Sequence, residues 1–197
     1  MKITDVSKLK GPLGELHDQL FGDNGEERLA EFNLWLKRVT SVLRRVTTVH
    51  VCDIKRFIAS AAFGKDNPAG IKFFLGENFK NNFLGKIEEN VPATELAVDV
   101  LTKPLLDAPI RAELTHQREE TFLAYFYELI SKQPNGEAGP LLTSGYTNVF
   151  YIRDVKNIVW AVHAYWRSGD RGWNVNADSV TDPNEWHAGS QDVSQAG

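Results

Sequence analysis

The sequence predicts an α+β protein: a helical N-terminal part over residues 1–134, packed on a C-terminal three-stranded antiparallel β-meander over 145–180. Three observations carry this. Leu29, Phe32, Leu36, Val39, Leu43 and Val46 recur at alternating spacings of three and four, the stripe of an amphipathic helix. Asp107-Ala108-Pro109 opens a second periodic run that reaches Ser131, with Pro in the first turn. Beyond Gly145, three runs rich in Val, Ile, Phe, Tyr and Trp alternate with short turns.

The first helix runs from Gly25 to Val46. Asp23 or Asn24 caps it, Glu26 and Glu27 suit the positive end of its dipole, and Arg44 and Arg45 suit the other. Trp35 and Val42 widen the stripe. The seam is too short for a coiled coil, so a packed core helix is the reading. Thr47 to Val51 is β-branched and reads as a short strand or a loop. A helix from Asp53 to Phe63 ends at Gly64, and Asn67, Pro68 and Gly70 break the chain. Further helices are predicted from Glu77 to Glu89 and from Pro92 to Pro104, where proline stops the second. The long helix from Asp107 ends before Pro134-Asn135-Gly136.

In the meander, a two-residue loop, Lys156-Asn157, pairs Val155 with Ile158 and Tyr151 with Val162. The turn at Ser168–Arg171 pairs Arg167 with Gly172 and His163 with Asn176. One face then carries Val149, Tyr151, Trp160, Val162, Ala164, Trp166, Trp173, Val175 and Ala177, and is assigned to the core. Residues 181–197 form a tail whose small, polar end, Ser190 to Gly197, reads as frayed. Neither part looks able to stand alone, so 1–197 reads as one domain.

Composition narrows the function classes. The chain has 197 residues, a net charge of −4 and one cysteine, Cys52. An acidic balance argues against nucleic acid as partner. A lone cysteine, no apolar leader within Met1–Leu20 and no Asn-x-Ser/Thr sequon together favour a cytoplasmic location. No apolar run spans a membrane. Phosphate-loop, dinucleotide and nucleophile-elbow motifs are absent, and five scattered histidines give no zinc spacing, so no cofactor and no metal are expected. His116 and Glu120 lie on one helical face without a second histidine at zincin spacing.

Three places carry chemistry-bearing side chains. The mixed face of the meander gathers Phe150, His163, Tyr165, Asn174, Asn176 and Asp178: an aromatic, an imidazole, amides and a carboxylate, the groups that hold a small polar ligand or a peptide. Two asparagines in one strand run against β-propensity. His50-Val51-Cys52-Asp53 places a thiol near an imidazole at a predicted helix start, where the dipole lowers a thiol's pKa. A basic run, Lys37, Arg38, Arg44 and Arg45, with Lys55 and Arg56, reads as a solvated helical face. Trp160, Trp166 and Trp173 are assigned to the core, and Trp35 and Trp186 to exposed anchors.

No catalytic residue is assigned. The first reading is a non-enzymatic binding or interaction protein acting through the meander face. The alternative is a small hydrolase or transferase using His163 with Asp178 or Asp154, or Cys52 with His50. A third is a structural subunit that forms homo-oligomers through its apolar helices.

Overall fold

The computed structural model describes residues 15 and 25–197, and the side chains of these outside 34–40 and 115–117. The predicted cap at Asp23 or Asn24, the reading of Met1–Leu20, and the side chains of Trp35, Lys37, Arg38 and His116 lie outside the described residues. The chain forms two compact units, Met1–Ser41 and Val42–Gly197. Within the first, helix α1 runs Gly25–Thr40 with Glu26 and Glu27 in its first turn. It stops short of the predicted end, and Leu29 on its stripe is 41% exposed.

The second unit is built on a mixed eight-stranded sheet, which overturns the predicted helical part on a three-stranded meander. Its strands are β1 (Leu43–Val51), β3 (Phe73–Leu75), β5 (Thr94–Leu101), β6 (Glu120–Thr121), β7 (Asn148–Arg153), β8 (Val159–Arg167), β9 (Gly172–Ser179) and β10 (Gln191–Gln195). They lie in the order β1-β5-β10-β7-β8-β9-β3, with β6 also beside β7. A two-stranded sheet pairs β2 (Ile54–Ile58) with β4 (Ile87–Val91). The helices are α2 (Ala59–Ala62), α3 (Glu77–Phe83), α4 (Asp107–Glu119) and α5 (Leu123–Ser131).

Much of the predicted helix is therefore strand. Leu43–Val46, predicted as the end of the first helix, joins Thr47–Val51, read as a short strand or loop, in β1, which pairs antiparallel with β5. Residues 94–101, predicted as helix, are that partner strand. The helix predicted over Asp53–Phe63 is β2 in its first half and helical only at Ala59–Ala62, and the end of the one predicted over Glu77–Glu89 becomes β4, because Ile54–Ile58 and Ile87–Val91 pair with each other. The long helix from Asp107 breaks at Glu120 and Thr121, which leave helical dihedrals to pair with Tyr151 and Ile152 of β7.

The predicted meander strands are present, with one correction of register. Asp154 bonds through its backbone N–H to Ile158 O at 2.9 Å, so the loop holds three residues, with Asn157 at φ 66°. Asp154 organises the loop: its Oδ1 accepts from Lys156 N at 2.8 Å and Ile158 N at 2.9 Å, and its Oδ2 from Trp160 Nε1 at 3.0 Å. Tyr151 thus pairs with Ala161 and Phe150 with Val162. A one-residue slip exchanges every β7 side chain between faces. The second hairpin has the predicted register, Arg167 with Gly172 and His163 with Asn176.

The polar C-terminal segment is the largest departure from expectation. Gln191–Gln195 is not frayed but a buried interior strand, antiparallel to β5 and parallel to β7. Each sheet face carries an apolar cluster over part of its area. On the first, Phe79, Phe83, Phe126 and Leu129 pack over Phe150, Val162, Trp173, Val175 and Val193. On the second, Ile110 and Leu114 of α4 pack over Leu101, Val149, Tyr151 and Ala161. Among the described residues, no helix is long and apolar enough to cross a membrane.

Candidate functional site

Strand alternation places His163, Tyr165, Asn174, Asn176 and Asp178 together on the second face, as read from the sequence. Phe150 is not among them. It lies on the opposite face, its ring edge-on to Phe126 at 4.9 Å, because of the register of β7. Tyr165, Asn174, Asn176 and Asp178 are partly exposed, whereas His163 is 9% exposed.

His163 is the centre of the cluster. Its Nε2 lies 3.1 Å from Asp178 Oδ2, and its ring meets Trp186 edge-on at 5.0 Å. Neither ring nitrogen makes a hydrogen bond of good geometry, so the Asp178 contact is one of proximity. Asn176, directly across the ladder, has a buried Oδ1 that is also without a partner. Gly76 makes this possible: a Cβ there would stand 2.2 Å from Asn176 Oδ1.

Trp186 reaches the site from the segment before β10. It forms a bridge with Leu105, with Trp186 N donating to Leu105 O at 2.8 Å. Its Nε1 donates to Asp107 Oδ1 at 2.8 Å, and that same oxygen accepts from Tyr151 Oη at 2.7 Å. Asp107 is therefore committed to these two donors and does not cap α4, the role its position suggests. Burial holds its carboxyl above the usual range, against the two donated hydrogen bonds. Burial and the nearby Asp107 push the Tyr151 phenol far upward.

Beside this layer lies a buried carboxylate pair. Asp192 of β10 faces Asp99 of β5 directly across the ladder. Arg45 Nε meets Asp99 Oδ1 at 2.6 Å, and Arg118 Nη2 meets Oδ2 at 3.1 Å. Asp192 is fully buried and neither oxygen has a hydrogen bond of good geometry. Burial, then Asp99, raise its pKa well above the ordinary range, while Ser194 and Arg118 oppose this.

The other predicted sites are not assembled in this way. Cys52 is exposed and precedes a strand, so no helix dipole acts on it. His50 Nδ1 lies 3.0 Å from Glu95 Oε1. Asp154 is committed to its own loop. Arg45 is bound to Asp99 rather than lying on a helical face. No grouping of three or more metal-ligating side chains occurs among the described residues.

Comparison with protein-family models, curated proteins and solved structures yields no match.

Sequence reasoning missed Asp107, Tyr151, Asp192 and Gly76. Asp107 carries a helix-start signal that conceals its tertiary role. Asp192 lies in a stretch with one apolar residue, Val193, between polar ones, and nothing in that composition marks an interior strand.

Proposed function

We propose that this protein binds a small polar ligand on the second sheet face, between His163, Asn176, Asp178 and Trp186. One observation carries the reading: one ladder pair, His163 with Asn176, holds three buried polar atoms, both ring nitrogens and Asn176 Oδ1, that make no hydrogen bond of good geometry. Buried polar atoms in native proteins are nearly always satisfied, by protein, water or ligand. A carboxylate and an aromatic ring stand beside them, the combination that orients a polar molecule.

The chemistry of the groups narrows the ligand. Asn176 Oδ1 and the Asp178 carboxylate oxygens are acceptors. A donor-rich molecule suits them: a polyhydroxylated compound, or an amine whose ammonium also meets the Trp186 ring. Binding of an amine weakens with salt and that of a polyol does not.

The test is thermal denaturation of the full chain against panels of polyols and amines. A binder raises Tm by mass action. The expected result is a compound that stabilises the wild type and fails to stabilise His163→Ala and Asn176→Ala, with Asn174→Ala affected less. Stabilisation that survives in all three variants places binding elsewhere and overturns the reading.

The 3.1 Å contact between His163 and Asp178 favours a second reading, a hydrolase or transferase in which Asp178 orients His163 as base. Turnover of simple ester substrates that falls with Asp178→Asn would support it.

A further inference from the structure

We infer that the protein has a second ligand site, for a small amphipathic anion, in a cavity of about 370 Å³ beside β3. This site is separate from the His163 face and does not rest on it. The cavity has apolar walls from Phe63, Ile71, Phe73 and Leu75, and its charged lining residues are Lys65 and Lys72. Among the described lining residues there is no carboxylate, in a chain of net charge −4. A dry apolar cavity of ~150 Å³ admits benzene, so this volume holds an apolar body and a polar head together.

The loop over the cavity is pre-shaped. Asn67, 6% exposed, donates from Nδ2 to Gly64 O at 3.0 Å and Ile71 O at 2.8 Å, and accepts from Ile71 N at 3.0 Å. A Cβ on Gly64 would stand 2.7 Å from Ser60 O, so the close approach there needs glycine. Phe63 and Phe73 also pack against Tyr127, at 5.5 Å and 6.4 Å between centroids. The Tyr127 hydroxyl is buried behind these rings, against the Ala69 backbone.

The two lysines divide the work. Lys72 Nζ is anchored 3.1 Å from Asp170 O and 5.0 Å from the Phe74 ring centre. Lys65 is exposed, and its ammonium is assigned to the anionic head of the ligand. A short-chain or aromatic carboxylate has this shape and charge.

The experiment titrates the folded full chain with hexanoate, hexanol and hexylammonium, following backbone amides by NMR. Hexanoate should move Gly64, Gly70 and Ile71 saturably and bind more tightly than hexanol, with hexylammonium weakest. Lys65→Ala, an exposed change that spares the fold, should weaken hexanoate by about three- to five-fold, the scale of one exposed ion pair, and leave hexanol unchanged. Ile71→Trp, with folding verified, should abolish binding of both by filling the cavity. Equal affinity for the three probes, unaltered hexanoate binding to Lys65→Ala, saturable shifts confined to other residues, or no saturable shift at all would each overturn the assignment.

Discussion

Single residues of the site differ in what they expose to test. Gly76 is regular in backbone, at φ −71°, so its requirement is purely steric: it leaves room for Asn176. Gly76→Ala should cost about 1–3 kcal/mol, the range for overpacking. Asn176→Ala in the same chain should relieve much of that cost. A double-mutant cycle in denaturant measures it, and additive costs would mean the two residues do not meet. Asp192 predicts a pH signature. Its folded pKa is raised, so its contribution to stability is full below the unfolded value of about 4 and is lost as pH climbs toward the folded value. Asp192→Asn removes that titration. The variant should therefore gain stability relative to the wild type as pH rises above about 4, read as a Tm difference that widens with pH. A difference that stays flat across this window would contradict the protonated, buried state.

Secondary-structure elements show where local signals hold and where pairing overrides them. Strands β7, β8 and β9 were legible because β-branched and aromatic residues are dense there and the turn signals are strong. Helix is over-read at 54–58, 87–89 and 94–101, where apolar spacing fits either period and only the partner strand decides. The slip in β7 has a narrower cause. Asp154, read as a strand residue, takes three hydrogen bonds that add a residue to the loop. That single change moved Phe150 out of the candidate site and Val149 and Tyr151 to the site's side of the sheet. Asp154→Ala should thus cost roughly 1–3 kcal/mol by stranding the Trp160 indole and two backbone donors. Trp173 and Trp160 give a matched pair of core tests. Trp173 is fully buried and should cost about 3–5 kcal/mol as Trp173→Ala, whereas half-buried Trp160 should cost less. Equal losses in chemical denaturation would contradict the assigned packing.

At the scale of the sheet unit, Val42–Gly197, the chain's last strand holds the architecture together. β10 joins β5 to β7, so among the described strands β1 and β5 connect to the rest of the sheet through it, while β3 pairs with β9 at the far edge. Its insertion buries Asp192 against Asp99 and fixes the segment that carries Trp186 to the site. The sequence hid this because interior position is a property of pairing and not of composition. Amide exchange should find Val193 and Ser194 among the slow residues, and exchange at the rate of a free tail would refute the interior strand. The functional claim rests on the face that this arrangement leaves open beside α4. The most direct test is NMR of the His163 ring nitrogens and the Asn176 side-chain amide, recorded with each compound that raises Tm. The account predicts saturable movement of both signals by a donor-rich compound, with the movement lost in Asp178→Ala. A stabilising compound that leaves both signals in place, or panels of polyols and amines in which nothing binds, would contradict it.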